Sequence, residues 1–128
     1  MTNIPHDNIN QLAPVNVPAM EWADVPLPFI NATINAKMLH VDETSGMSVQ
    51  IVKYRAGFTN TWHNHPCGHG MYVLEGVLRT HQGDYPKDTW VWFDEGGWME
   101  HGATEEQDVT VLFVTDKAFD ICYYGEER

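Results

Sequence analysis

A chain of 128 residues, 43% hydrophobic and 20% charged, has the length and composition of one ordinary globular domain, which excludes a disordered or low-complexity segment. Eighteen acidic residues against seven basic ones give a formal net charge of −11, so phosphate backbones and anionic headgroups are repelled, and nucleic acid and membrane surfaces are not expected as partners. The opening MTNIPHDNIN has neither a basic end nor an apolar run, only two cysteines occur, and no stretch approaches the roughly 20 apolar residues of a membrane span, so a cytoplasmic location is expected.

Five of the seven prolines, at positions 5, 14, 18, 26 and 28, fall within residues 1–30. That density rules out a long helix and predicts an extended N-terminal arm, followed by a barrel domain over 31–128. Trp22, Val25, Leu27 and Phe29 give the arm an apolar side to dock onto a sheet or a second subunit. From about residue 36, short apolar runs alternate with turn residues, which is the pattern of an all-β antiparallel sandwich or barrel and not of βαβ units. Strands are predicted over 37–43, 47–56, 61–65, 69–75, 77–82, 89–93, 98–103, 109–115 and 120–124. Gly, Pro, Asp and Ser at the breaks between them supply turn chemistry, and helix is expected only as short turns.

Four of the seven histidines form a pattern: His63, His65 and His69 within seven residues, then His101 about 30 residues on. Residues two apart on a strand share a face, so His63 and His65 project together. Pro66-Cys67-Gly68 permits a tight turn after which His69 opens the next strand, while His101 must arrive from a separate one. Imidazoles suit zinc, iron, nickel and copper, and three of them leave positions open for water or substrate. By the same alternation Met71 and Val73 share the face of His69, and Met99 and Ala103 that of His101, which predicts a largely apolar pocket. Cys67 is readable as a thiolate ligand or as a solvent-facing turn residue. Trp62, Trp90, Trp92, Trp98 and Tyr72 are expected in the core or at a subunit interface. Glu95 and Glu100 are alternatives as bases or as solvated carboxylates, and Arg79 is expected in an outward salt bridge.

The spacing Gly57, His63, His65, His69, Gly76 resembles the first motif of the cupin superfamily, G-x5-H-x-H-x3,4-E-x6-G, with His69 where that motif carries Glu. The stretch from Gly83 to Glu105 resembles the second motif, G-x5-P-x-G-x2-H-x3-N, loosely: His101 falls on its histidine, Gly97 lies one residue early, the proline is missing, and Glu105 takes the Asn position. Trp22, the run from Val25 to Pro28, Met38 to Asp42 and Tyr72 to Gly76 look like the ChrR-like branch of that superfamily, which includes zinc-binding anti-sigma-factor domains and dioxygenases of acetylacetone and of 2,4'-dihydroxyacetophenone.

The resemblance implies a cupin double-stranded β-helix, or jelly-roll barrel. It also implies one divalent transition metal on His63, His65, His101 and His69, with Fe(II) favoured and Zn, Mn or Ni as alternatives. The activity implied is dioxygenase cleavage of a C–C bond in a β-diketone or hydroxyketone, a small-molecule substrate. The alternatives are a Zn or Mn isomerase, lyase or decarboxylase, or a zinc-binding sensor without turnover. The arm and the aromatic surplus lead us to expect a homodimer.

Overall fold

The structure, a computed structural model, describes residues 3–4 and 6–126, so Pro5 of the arm lies outside the described residues. Helix among the described residues is confined to three single 3₁₀ turns, His6–Asn8, Val17–Ala19 and Pro28–Ile30. None is long and apolar enough to cross a membrane. The strands are β1 (Ala23–Leu27), β2 (Ala32–Val41), β3 (Ser48–Tyr54), β4 (Thr59–Asn64), β5 (His69–Glu75), β6 (Val77–Thr80), β7 (Gly83–Pro86), β8 (Trp90–Phe93), β9 (Met99–Ala103), β10 (Val109–Thr115) and β11 (Cys122–Tyr123). They pair into two antiparallel sheets, one in the order β1-β2-β3-β10-β5-β8 and the other β11-β4-β9-β6-β7, and the chain is an all-β jelly roll as expected.

Alternation in β10 shows how the sequence builds the core. Val109, Val111, Phe113 and Thr115 are buried and the residues between them are half-exposed, the two-residue period of a strand with one face inward. On either side of β10, β3 contributes Val52 and Tyr54, and β5 contributes Met71 and Val73. Leu78, Met99 and Ala103 of the smaller sheet close over them. Each such aliphatic side chain removed from water stabilises the fold by roughly 1.5–3 kcal/mol.

Two strands were not expected. β1 lies inside the proline-rich arm, and β7 lies where Gly83-Asp84 reads as a turn. Both are edge strands, and an edge tolerates Pro26 and Pro86 because one side of its ladder has no partner to bond. The expected strand at 37 begins at Ala32, because β2 extends to pair with β1 from Ala23↔Ala36 to Leu27↔Ala32. The arm therefore docks on the chain's own sheet: Leu27 is buried and Val25 packs against the core. Trp22 is held from the sheet by Lys37 and Lys53, whose ammonium groups lie 4.6 and 4.7 Å from its ring centroid.

The four outer tryptophans correct the expectation of a core role. Trp62, Trp90, Trp92 and Trp98 are all close to half-exposed, and Trp90 and Trp92 cover Gly70 and Gly68 from outside the barrel. Arg79 does pair outward with Asp84, at 3.5 Å.

Gly57 and Gly76, the ends of the first motif, both have φ of +82°. A β-carbon at 57 would meet only the Glu105 carboxylate, which can swing away, whereas one at 76 would overlap the Asp108 carbonyl. Gly57→Ala should therefore lose about 1 kcal/mol, for the left-handed backbone alone, and Gly76→Ala roughly 2–4 kcal/mol, because backbone must also move. Urea denaturation measures both, and equal losses would contradict the packing argument.

Candidate metal centre

Three of the four histidines come from the smaller sheet. His63 is on β4, His65 lies just past the end of β4, and His101 is on β9, which pairs with β4. Between Asn60↔His101 and His63↔Met99 the register shifts, so Thr61 and Trp62 together stand opposite one residue of β9. This bulge turns both Asn60 and His63 inward, although three residues apart on a regular strand would face opposite ways. His63, His65 and His101 are 0, 3 and 2% exposed, and each offers a ring nitrogen such that all three lie within 4.8 Å of one another.

Two of the rings are oriented from behind. His63 Nδ1 lies 2.6 Å from the Thr61 carbonyl oxygen, and His65 Nδ1 lies 2.7 Å from that of Asp120. A carbonyl only accepts, so each Nδ1 carries the hydrogen and each Nε2 is the bare lone pair, the form a metal ion binds. Burial holds His63 down at about 4, with His65 adding to the shift and the Thr61 carbonyl opposing it. Burial also lowers His65, against the opposing effect of the Asp120 carbonyl, and pushes His101 well below the ordinary imidazole range. The three are therefore neutral at pH 7. His63 Nε2 and both nitrogens of His101 are buried without a hydrogen-bond partner, a costly arrangement that coordination to a divalent ion would relieve at one nitrogen of each ring. The donor set fits such an ion.

His69 reaches the same space from the opposite sheet. Its ring centroid is 4.9 Å from that of His65 and 6.2 Å from that of His101, and it lies outside the three-nitrogen group. Phe93 and Phe113 stack on its two faces, at 4.6 and 4.8 Å and tilts of 9° and 17°. Both of its nitrogens are also unpartnered, and burial, followed by His65 and His63, pushes it down to about 2. The two phenyl rings restrict the imidazole to one plane. No spacing in the sequence announces them, although the alternation in β10 does turn Phe113 inward.

The expected pocket lining is revised. Met71 and Val73 are completely enclosed in the core, and Met99 is 2% exposed and borders an outer cleft with Trp92 and Trp98. The cavity that reaches His65 and His101 is instead bounded by β1, β2 and β3 through residues such as Val25, Leu27, Ile34 and Gln50, and Phe119 also lines it. Phe119 packs its ring 4.7 Å from that of His65. Asn60 also lines this cavity and was not expected; an asparagine inside a strand is unusual, and that was the available signal. Cys67 is buried and not solvent-facing, burial, reinforced by Asp116 and Glu95, pushes its thiol up to about 11, and its sulfur is not among the ligand atoms that gather with His63, His65 and His101. Glu95 pairs with Lys117 on the surface.

A jelly-roll barrel with inward histidines contributed by neighbouring strands defines a cupin with a candidate metal site. Residues 10–120 match the ChrR cupin-like domain family, and the chain belongs to it. No curated protein matches the chain in sequence. Among solved structures, the polyketide cyclase RemF from Streptomyces resistomycificus is similar with a TM-score of 0.70 at 13% identity, over 92% of this chain and 89% of that one. A candidate acetylacetone dioxygenase from Methylibium petroleiphilum PM1 is similar at 0.69 and 14%, over 85% and 79%. The structure of Rhodobacter sphaeroides SigE in complex with the anti-sigma ChrR is similar at 0.64 and 15%, over 79% of this chain but 52% of that one. At these identities the likeness is one of fold.

Two measurements follow from the geometry. Single His63→Ala, His65→Ala and His101→Ala variants should lose most of their bound metal, while His69→Ala should retain more if its ring acts from beside the ligand set, where losses are typically about 10- to 100-fold in affinity. Elemental analysis after dialysis decides, and a loss in His69→Ala equal to that in His101→Ala would make His69 a fourth ligand. In metal-free protein the folded-state imidazoles titrate below the ordinary 6.5, so the unfolded chain takes up protons first. Stability is then full above pH 6.5 and falls with pH, by roughly 1 kcal/mol per such histidine between pH 7.5 and 5.5. Urea midpoints that stay level over that interval would contradict the burial of neutral rings.

Proposed function

We propose that the chain is a mononuclear metal-dependent dioxygenase that cleaves a carbon–carbon bond of a β-diketone or hydroxyketone, with Fe(II) as the favoured ion. The observation that carries this reading is an all-imidazole donor set: His63, His65 and His101 are buried and neutral, and His69 stands where the cupin motif places a carboxylate. A divalent ion held there would supply a double positive charge uncompensated by any ligand, which favours an enolate oxygen pair over a neutral ketone.

The chain's own residues provide the rest of the chemistry. Val25, Leu27, Ile34, Val52 and Phe113 make the cavity beside His65 and His101 apolar, so water is excluded and charge interactions within it are strengthened. Its volume of about 60 Å³ leaves no room for a polycyclic ligand. Thr61 and Asp120 hold two of the imidazoles in the metal-binding tautomer, and Phe93 and Phe113 hold His69 edge-on to the site.

Protein purified without a nickel-affinity step should contain iron. When it is reduced and kept free of oxygen, addition of acetylacetone should produce a new visible absorption band. Admitting oxygen should bleach the band with stoichiometric oxygen uptake and carboxylate products. Zinc in place of iron, with no oxygen uptake, would sink the dioxygenase reading in favour of a lyase, isomerase or sensor.

A further inference from the structure

Asn60 has no part in the ligand set, yet it is 4% exposed and sits directly opposite His101 in the β4–β9 ladder. The bulge at Thr61 and Trp62 is what turns it inward, onto the same cavity that His65 and His101 line. Its side-chain oxygen accepts a 2.6 Å hydrogen bond from the hydroxyl of Tyr123, which is itself buried. A buried phenol proton needs an acceptor, and the Asn60 carbonyl oxygen is the one this structure supplies, so the orientation of the amide is determined. With the oxygen engaged, the amide nitrogen is left with its two hydrogens, and no hydrogen bond within the described residues engages it. Tyr123 is held in turn by Phe29 of the arm, stacked at 5.3 Å and 15°.

We infer that Asn60 donates a hydrogen bond to an oxygen of the ligand seated beside His65 and His101, and that Tyr123 is the positioning residue that aims it. The inference rests on the small-diketone reading above. A fixed neutral donor in an apolar cavity is stronger for an oxygen carrying negative charge than for a neutral one, and needs no rearrangement when that charge develops. Asn60 therefore adds selectivity for the enolate that the ligand imidazoles, all bound through their lone pairs, do not provide. Through Phe29 and Tyr123 the N-terminal arm also reaches the substrate side of the site.

The test uses zinc-loaded protein, which binds without consuming oxygen, and acetylacetone as the probe, followed by its ultraviolet absorbance. Removing one partner of a buried hydrogen bond leaves the other unsatisfied, so the informative variant changes both, Asn60→Leu with Tyr123→Phe, a replacement close to neutral for stability. This double variant should keep its zinc and its melting temperature and bind acetylacetone roughly 10-fold or more weakly, as expected for losing a hydrogen bond to a charged oxygen. Tyr123→Phe alone, which removes one oxygen and keeps the ring, should weaken binding by a few-fold at unchanged zinc content. Unchanged affinity in either variant at full zinc content overturns the assignment. If zinc-loaded wild-type protein does not bind acetylacetone at all, the small-diketone reading fails first and the role of Asn60 fails with it.

Discussion

Burying several imidazoles in one dry space is the constraint on which the rest of this structure depends. A neutral imidazole brings one donor and one acceptor nitrogen, and transferring either from water without a partner costs free energy. Carbonyls of Thr61 and Asp120 satisfy the donors of His63 and His65, and the Nε2 lone pair of His63 and the nitrogens of His69 and His101 are buried with nothing else among the described residues to meet them. The apolar surroundings that make these lone pairs costly also keep the rings deprotonated, through the same desolvation. Folding and metal binding are then linked: an ion that engages the lone pairs stabilises the folded barrel over the unfolded chain.

The two sheets divide the work at this centre. Adjacent strands of the smaller sheet bring His63 and His101 together, with His65 at the strand end. The larger sheet supplies His69 and the phenyl rings that clamp it, since Phe93 is its cross-strand neighbour on β8 and Phe113 comes from β10. Between the sheets, on the side closed by the arm, lies the cavity. The arm is thus part of the wall of the site: Val25 and Leu27 line it, while Lys37 and Lys53 hold Trp22 against the sheet just before them.

Charge separates the outside of the molecule from its centre. The chain has a formal charge of −11 and no Asp or Glu among the described residues is buried, whereas the candidate ligand set contains no carboxylate. A carboxylate in the position of His69 would neutralise part of a bound ion's charge. An imidazole there would leave the charge of a bound ion available to an oxygen ligand, and the low polarity of the cavity would increase its effect.

By itself, the sequence determined the two-residue alternation that makes β3, β5, β9 and β10 inward-facing strands, and the His-x-His spacing that puts two ligands on one face. That residues two apart share a face is a local consequence of strand geometry and holds in any register, while the pairing decides which face turns inward. The edge strands β1 and β7 were illegible because their Pro and Gly residues carry turn signals that only an unpaired edge tolerates. Alternation also assigned Met71 and Val73 to the right face but to the wrong surroundings, since facing inward does not say whether a residue meets the cavity or the packed core. Tertiary structure alone decided the bulge that turns Asn60 toward the site, the carbonyl of Asp120 behind His65, the phenyl rings on either side of His69 and the wall contributed by the arm. Each of these joins residues far apart in the chain or breaks the strand period, and it is the pairing of strands across the two sheets, not the order of residues along one, that sets such contacts.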